Sequence, residues 1–338
     1  MIRRHTILFK LLALVLAALA ASGVIRLALN YRDTRQKAAE TAALAEAGSL
    51  AQSQGYTHLT YSNSSVTLNF ALNEEGLWTW SDDPEFPLDD STVTAILDLL
   101  TDLKFQQTLS NDLELSEYSL DVPAATITAS GEEGHDSLTL DIGKATTDGD
   151  SYYIMLNGDS STIYIIADTL YQLMSVPIYD MMALPELPAL AKDNIDTISI
   201  HGSATTTIRA IRPEEEKDSK EQDEVEAVVT WRSSGANVTD SAALSSLLEE
   251  LEGLTFTKCV DYKPSDDAAV LCGFAEPTLT ISVIYLSEGG AEQTLLLMLG
   301  GATLDGSGYY ARMNDDPSIY QIDGGAISAL LDVAANGL

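Results

Sequence analysis

The sequence predicts an α+β fold with two tandem copies of a β-rich unit. Each copy has an antiparallel sheet and two helices, and an N-terminal transmembrane or signal helix precedes them. The first observation behind this prediction is an internal repeat, in which an apolar strand with a glycine is followed nine residues later by a tyrosine pair. The repeated residues are Gly143 with Tyr152 and Tyr153, and Gly300 with Tyr309 and Tyr310. The second observation is that strand-like segments dominate both copies, which indicates a sheet as the shared scaffold.

Each copy opens with a predicted β-hairpin. In the first copy, alternating apolar residues over 66–72 lead through a turn into Leu77–Trp80. In the second copy, Thr206–Ile211 and Val228–Trp231 flank the acidic run Glu214–Glu226. Apolar alternation on both sides of a connection is typical of paired antiparallel strands. We therefore interpret the acidic run as a long, disordered hairpin loop.

A helix is predicted after each hairpin. Apolar residues recur at helical spacing after Ser91 and after Ser241, and the Asp and Ser residues at these starts are good N-caps. Both copies then continue with a proline-led strand, the glycine strand, the tyrosine-pair strand, an Ile-Tyr strand and a short terminal helix. The later landmarks are Pro123, Ile163-Tyr164 and a helix over 168–174 in the first copy, and Pro277, Ile319-Tyr320 and a helix over 325–333 in the second.

The N-terminus predicts the location of the chain. Basic residues precede the apolar run Leu11–Ile25, which is typical of a secretory start signal. Counted over 7–29, with basic side chains reaching out at both ends, the run is long enough to span a membrane. We favour an uncleaved signal anchor, with the bulk of the chain extracytoplasmic at the cell membrane. A cleaved signal peptide is the alternative, because Ala18–Ala20 matches a cleavage pattern.

Five segments follow from these patterns. They are a signal anchor or signal peptide over 1–30, a helical stalk over 31–55, a first repeat domain over 56–175, a linker over 176–194 and a second repeat domain over 195–338. The stalk is predicted from an alanine-rich stretch with high helix propensity. The linker is predicted from its three prolines.

The charge of the chain excludes one class of partner. The chain has 18 basic and 51 acidic residues and a formal net charge of −33. Since seven of the basic residues fall within 1–37, the remainder is more acidic still. Such a surface repels phosphate backbones and anionic lipids, so we expect no nucleic-acid partner. Its simplest role is to keep the surface solvated, and attraction of a cationic partner or calcium ions is the alternative.

The cysteines and histidines indicate neither a metal centre nor a cofactor. The chain has four scattered histidines and no CxxC motif, which argues against zinc and haem. Cys259 and Cys272 lie thirteen residues apart. In an oxidising compartment they can form a local disulfide, and two buried free thiols are the other possibility.

No catalytic motif is recognisable in the sequence. Asp148–Asp150 and Asp305–Ser307 occupy equivalent positions before the tyrosine pairs, and each offers too few alternating oxygen ligands for calcium. An Asp-Gly pair between strands indicates a turn instead. Gly158–Ser161 lacks the strand-to-helix elbow that exposes a hydrolase serine. We therefore predict a protein that is not an enzyme.

The tyrosine pairs are the candidate ligand-facing residues. Successive side chains of a strand point to opposite faces, so one tyrosine of each pair is expected to pack inward and the other to face out. An outward tyrosine can stack on a sugar ring. The candidates are Tyr152, Tyr153, Tyr309 and Tyr310.

The pattern resembles DUF4340, a bacterial family of unknown function. The resemblance lies in the N-terminal anchor, in the passage Tyr118–Ile127 and in the "I-G … Y-Y … I-Y" series that begins at Ile142-Gly143. It covers most of residues 56–333. The second copy departs from it at Cys272–Pro277. The resemblance implies an envelope protein often encoded beside ABC-transporter components of the type linked to gliding motility, and it implies no catalytic residues.

Two functions are therefore expected. The first is a non-enzymatic, membrane-anchored extracytoplasmic interaction protein, accessory to an ABC-type transporter or another envelope complex. Its partners would be the membrane, through the N-terminal helix, and a protein of the envelope. The alternative is a module that binds envelope polysaccharide or a cation through exposed aromatic residues or acidic loops.

Overall fold

The computed structural model describes residues 48–51, 55–110, 112–131, 137–212 and 229–338. The predicted anchor over 1–30 and the acidic run Glu214–Glu226 lie outside these ranges. Among the helices within them, none has the length and apolar character that crossing a membrane requires. The chain divides into two units. The first contains the described residues up to Glu85 together with Asp90–Val176, and the second contains Phe86–Asp89 and Pro177–Leu338.

The first unit is built on an eight-stranded antiparallel sheet. The unit contains ten strands among its described residues, eight of them in this sheet. They are β1 (Gly48–Ala51), β2 (His58–Asn63), β3 (Thr67–Leu72), β4 (Trp78–Trp80), β5 (Asp102–Phe105), β6 (Gln107–Ser110), β7 (Ala125–Ser130), β8 (Leu138–Ala145), β9 (Ser151–Leu156) and β10 (Thr162–Ala167). The sheet order is β4-β3-β2-β7-β8-β9-β10-β6, while β1 and β5 form a separate pair. Its helices are α1 (Ser91–Thr101) and α2 (Thr169–Leu173), with a 3-10 turn at Leu115–Tyr118.

The second unit is built on a nine-stranded antiparallel sheet. Its strands are β11 (Ile195–His201), β12 (Thr205–Ile211), β13 (Thr230–Ser233), β14 (Ala236–Asn237), β15 (Lys258–Asp261), β16 (Leu279–Leu286), β17 (Glu292–Ala302), β18 (Gly308–Met313) and β19 (Ile319–Asp323). The order is β14-β13-β12-β11-β16-β17-β18-β19-β15. Its helices are α3 (Ala242–Glu252), α4 (Asp266–Leu271) and α5 (Ser328–Asn336), with 3-10 turns at Ile178–Met181 and Gly325–Ile327.

The two sheets confirm the predicted duplication. Apart from the additional edge strand β14, their strands follow the same order. The registers also agree, because Ile142 faces Ile154 in the first sheet and Leu299 faces Ala311 in the second, each 157 residues later. Both pairings are followed by a register shift at the same place. The chain is therefore a tandem α+β protein dominated by antiparallel sheet.

The repeated glycines are explained by a close backbone approach. A Cβ atom on Gly143 would lie 2.1 Å from the carbonyl oxygen of Tyr118, and one on Gly300 would lie 2.1 Å from that of Cys272. No side chain fits at such a distance, so only glycine allows the loop before the proline-led strand to cross the sheet there. The equivalent crossing in both units explains why the sequence keeps a glycine at both positions.

Helix packing agrees with the predicted apolar faces, but the predicted caps are absent. Val93, Ile96 and Leu100 of α1 are buried. The N-cap residues are Asp90 in α1 and Ser241 in α3, and neither side chain makes a capping hydrogen bond. The two helices therefore begin without a side-chain cap from Asp90 or Ser241.

A distant carboxylate caps the last helix instead. Glu250 of α3 accepts hydrogen bonds from the backbone amides of Ala329 and Leu330 at 2.8 and 3.0 Å. It also accepts one from the hydroxyl of Ser328 at 2.8 Å. Since these donors form the first turn of α5, the carboxylate satisfies amides that have no partner inside the helix and fixes α5 against α3.

Two further differences concern segment boundaries. Within the predicted helical stalk over 31–55, Gly48–Ala51 forms strand β1 and pairs with Asp102–Phe105. The ring of Phe105 lies against Gly48, where a Cβ would be only 2.6 Å from the ring, and glycine is also a poor helix former. Most of the predicted linker over 176–194 belongs to the second unit.

Buried apolar side chains explain why that linker segment is part of a folded unit. Met181, Met182 and Leu190 are buried. The amide of Asp89 donates to the carbonyl of Met181 at 2.8 Å, which ties the short segment Phe86–Asp89 into the same unit. Proline content indicated a linker because it disfavours regular structure, but it does not exclude burial of the side chains between the prolines.

The sequence interpretation also overlooked further elements. Strands β2 and β11, the first strands of each sheet in chain order, were not recognised, nor were β5, β6, β14 and β15. Helix α4 falls in a stretch that was predicted to be irregular. The hydroxyl of Ser265 accepts a hydrogen bond from the amide of Ala268 and caps α4. The described part of the second unit consequently has three α-helices rather than the two that were predicted.

We expect Gly143→Ala and Gly300→Ala each to destabilise the protein by about 1–3 kcal/mol, because the added methyl displaces a backbone carbonyl. Thermal unfolding followed by circular dichroism measures the effect. Gly289→Ala is the matched control, since its Cβ would meet nothing closer than 4.0 Å. Equal melting temperatures for all three variants would contradict the crossing-loop explanation.

We expect Glu250→Ala to cost about 1–2 kcal/mol, because it leaves the first amides of α5 without their acceptor. The neighbouring Glu249→Ala removes an exposed carboxylate of the same helix and should change stability by less than about 0.5 kcal/mol. Chemical denaturation of the full chain compares the two variants. An equal loss in both would show that the capping contact contributes nothing specific.

Candidate functional site

The second unit contains a cleft of about 400 Å³ that includes two of the candidate residues from the sequence, Cys259 and Tyr310. Its walls are formed by strand β15, by the hairpin loop between β17 and β18, and by the 3-10 turn at Ile178–Met181. A cleft of this size lies within the range of small-molecule sites. All of its lining residues belong to the second unit.

Side chains from three neighbouring strands form the floor of the cleft. Tyr310 on β18 faces Gln321 on β19, and Gln321 faces Lys258 on β15. Residues opposite each other in antiparallel strands point to the same side of the sheet, so these side chains form one continuous row. The floor therefore presents an aromatic ring, an amide and an ammonium group side by side.

The amide of Gln321 is held in place by the adjacent loop. Gln321 is 6% exposed, and its Nε2 donates to the hydroxyl of Ser307 at 2.7 Å. A buried amide is costly unless it is hydrogen-bonded, so this contact stabilises the polar floor. The side chain is thus oriented before any ligand arrives.

The loop beside the floor is the turn that the Asp-Gly pair predicted. The Asp305 carboxylate accepts hydrogen bonds from the Thr303 hydroxyl at 2.6 Å, the Ser307 hydroxyl at 2.7 Å and the Ser307 amide at 3.0 Å. Gly306 follows with a φ of +71°, which favours glycine. The hydroxyls of Thr303 and Ser307, then the Ser307 amide, hold the pKa of Asp305 well below its usual range.

An equivalent turn occurs in the first unit. There the Asp148 carboxylate accepts from the Thr146 hydroxyl and from the Asp150 amide, and these bonds lower its pKa. Both turns use the aspartate to organise the backbone. Among the described residues, no group of three or more His, Cys, Asp or Glu side chains is arranged to hold a metal ion.

The two cysteines are free thiols, so the structure does not contain the disulfide that was one alternative. Cys259 is buried, whereas Cys272 is only half-buried. Desolvation, with smaller contributions from Asp261 and Asp316, raises the pKa of Cys259 to about 12. Because the thiolate is the reactive form, Cys259 is a poor nucleophile at neutral pH.

An aromatic group positions Tyr179 in the wall of the cleft. Phe86 stacks on Tyr179 with ring centroids 6.2 Å apart and meets Tyr262 edge-on at 5.1 Å. Such pairs stabilise a fixed ring orientation beyond the area they bury. The short segment that contains Phe86 therefore helps to hold one wall of the site.

The tyrosine pairs differ between the copies. In the first pair, Tyr153 is 1% exposed and meets Tyr118 edge-on at 4.9 Å, while Tyr152 is half-buried and stacks on Tyr171 at 4.5 Å. In the second pair, Tyr309 and Tyr310 are both half-buried. Neither ring of the second pair is fully buried, and among the described residues no aromatic ring covers Tyr310 as Tyr118 covers Tyr153.

Sequence reasoning missed Tyr179, Lys258 and Gln321. For Gln321 a signal existed: Ile165 faces Tyr153 in the first copy, and Gln321 faces Tyr310 in the second. When one copy of a repeat has a polar residue at a strand position that is apolar in the other copy, the surface at that position differs between the copies and is a candidate for a binding site. Tyr179 had no such signal, because its place depends on tertiary packing.

We expect the buried thiol to resist alkylation in the folded protein. A pKa of about 12 instead of 9.0 leaves about a thousandth as much thiolate at pH 8. Iodoacetamide labelling with mass spectrometry should therefore modify Cys272 first and Cys259 only after unfolding. Cys272→Ser isolates the slow thiol, and rapid labelling of that native variant would contradict the burial of Cys259.

Comparison with known proteins gives one family. A family model described as "Domain of unknown function (DUF4340)" matches residues 78–233 and 231–336. Comparison with curated proteins and with solved structures finds no match. The two matches together extend over far more than half of the chain, and each contains one glycine strand with its tyrosine pair. The chain therefore belongs to the DUF4340 family, as its repeated motifs indicated.

Proposed function

We propose that this protein is a non-enzymatic, membrane-anchored extracytoplasmic interaction protein, accessory to an ABC-type transporter or another envelope complex. The observation that carries the proposal is the open polar face of each sheet. On one face the side chains are apolar and buried, as for Leu59 and Tyr61 in β2 and Ile198 and Ile200 in β11. The other face of the same strands carries hydroxyl and imidazole side chains.

These side chains form one row across neighbouring strands in each unit. The rows are Asn69, Thr60, Thr128 and Thr139 in the first unit, and Thr207, Ser199 and Ser282 in the second. All of these residues are half-buried or exposed. We call these two rows the hydroxyl rows.

A hydroxyl row suits recognition of a partner protein. Each serine or threonine offers a donor and an acceptor, and short side chains lose little conformational entropy when a partner covers them. Protein interfaces outside their central core are about as polar as ordinary surface, so a polar sheet face is compatible with binding. The duplication presents the same kind of surface twice.

The acidic charge and the family support the same proposal. A net charge of −33 favours encounter with a partner whose surface is positive and disfavours anionic lipid and nucleic acid. The basic and apolar N-terminal sequence supports attachment to the membrane. Within the cleft, the protonated thiol of Cys259 offers no activated nucleophile.

Affinity purification tests the proposal. The full chain with its N-terminal segment intact should bring down a membrane protein complex from its own envelope. Thr128→Lys combined with Ser282→Lys should reduce recovery at least tenfold, because two ammonium groups would have to be buried without partners. Ser245→Lys combined with Ser246→Lys on the exposed side of α3 adds the same two charges; it is the charge-matched control and should behave as wild type.

Circular dichroism of each variant checks that the fold is retained. Recovery of no membrane partner with the intact chain would contradict the proposal. Equal recovery by the double variant would exclude the hydroxyl rows as the binding surface.

A further inference from the structure

The two copies differ most at the floor of the cleft. In the first unit the equivalent surface is a closed apolar cluster in which Tyr118, Leu120, Tyr153 and Ile165 are all buried. In the second unit the surface is open, although the sheet register is the same. The two copies thus share the sheet, and only the second copy has the cleft at this position.

Comparison of the two crossing loops shows which residues account for the open surface in the second unit. The carbonyl group over the strand glycine belongs to Tyr118 in the first unit and to Cys272 in the second. A large ring has thus been replaced by a small side chain. Phe274, two residues further on, lies against the guanidinium of Arg312 at 4.6 Å. Tyr310 consequently stays half-exposed, whereas Tyr153 is covered.

One polar residue accompanies this opening. Gln321 occupies the register position of Ile165. Lys258 occupies that of Gln107, so this second position is polar in both copies. Loss of a covering ring alone would leave an apolar cavity, which is destabilising. An amide that is 6% exposed and held by Ser307 is the kind of group that fixes the orientation of a bound ligand.

We propose that the cleft of the second unit binds a saccharide. Two phenol rings, Tyr179 and Tyr310, line it and can pack against the C–H face of a sugar ring. Gln321 supplies an amide, and Lys258 and Asp305 supply a donor and an acceptor of opposite charge. Such a mixture of aromatic faces and balanced hydrogen-bonding groups matches a ring that carries hydroxyl groups.

The charges favour a sugar over a strongly charged ligand. Lys258 lies near enough to Asp305 to contribute to the low pKa of that carboxyl, so the two charges offset each other. Asp180 adds a second carboxylate to the lining. Leu304 is fully exposed at the loop beside the cleft and adds apolar surface for a ligand to cover.

The saccharide site is distinct from the proposed partner-binding surface. It uses β15, β18 and β19, whereas the hydroxyl row of this unit lies on β11, β12 and β16. Saccharide binding therefore goes beyond the proposed partner-binding role.

The test is an array of bacterial surface and peptidoglycan oligosaccharides probed with the full chain. At least one oligosaccharide should bind, and calorimetry with that compound gives the reference affinity. Gln321→Ile installs the residue of the first copy, and Tyr310→Ala removes the ring. Each should weaken binding at least tenfold.

Controls separate binding from folding. Tyr309→Ala changes the neighbouring tyrosine, which does not line the cleft, and should keep the wild-type affinity. Gln321→Ile removes a buried amide, and the exposed hydroxyl of Ser307 that accepted its hydrogen bond can bond to water instead, so the melting temperature should not fall far below wild type. A flat array, or unchanged binding by both cleft variants, would overturn the proposal. Heat from calcium chloride titration together with a flat array would assign a cation instead and would overturn it as well. Neither result depends on recovery of a membrane partner.

Discussion

The packing of both units depends on the contact between a loop carbonyl and a strand glycine. At Gly143 and Gly300 the crossing loop lies so close to the sheet that a side chain has no room. In the second unit the amide of Gly301 donates to the same Cys272 carbonyl at 2.8 Å, so the crossing is hydrogen-bonded as well as tight. Because the loop backbone is fixed there, the side chain of the loop residue, Tyr118 or Cys272, determines whether the neighbouring strands are covered. A single backbone constraint thereby allows one copy to close its surface and the other to leave it open.

This division between a fixed backbone and variable side chains explains how the copies diverged. Sheet order and register are retained because a shift of one residue would move every buried side chain to the open face. Side chains near the crossing loop are under no such constraint, because replacing one of them leaves the sheet register unchanged. The first copy keeps the edge-on contact between Tyr118 and Tyr153, whereas the second has Cys272 and a half-exposed Tyr310. On the next strand the copies differ in the same way, with Ile165 in β10 and Gln321 at the equivalent position of β19.

The sequence predicted what is encoded locally and missed what is encoded between distant segments. The glycine, tyrosine-pair and Ile-Tyr strands carry period-2 patterns and turn residues, so their order was readable. Strand β1 was missed because its pairing with Asp102–Phe105 is decided by contact with Phe105 and not by its alanine-rich surroundings. The cap of α5 was missed because Glu250 is far away in sequence. Part of the candidate site, Cys259 and Tyr310, had been singled out from the sequence. Tyr179 had not, because it is placed by Phe86, which lies more than ninety residues earlier in the chain.

The protonation states of Asp305 and Cys259 suit the ligand recognition proposed for the cleft. A general acid or base works best when its pKa lies near the working pH. Hydrogen bonds hold the pKa of Asp305 far below that range, and burial raises the pKa of Cys259 to about 12. Each group is therefore fixed in one form across the physiological range, the carboxyl as an acceptor and the thiol as a neutral side chain. Groups that do not exchange protons are suited to hold a ligand in a constant orientation, and Gln321, which has no charge to gain or lose, extends the same property to the floor of the site.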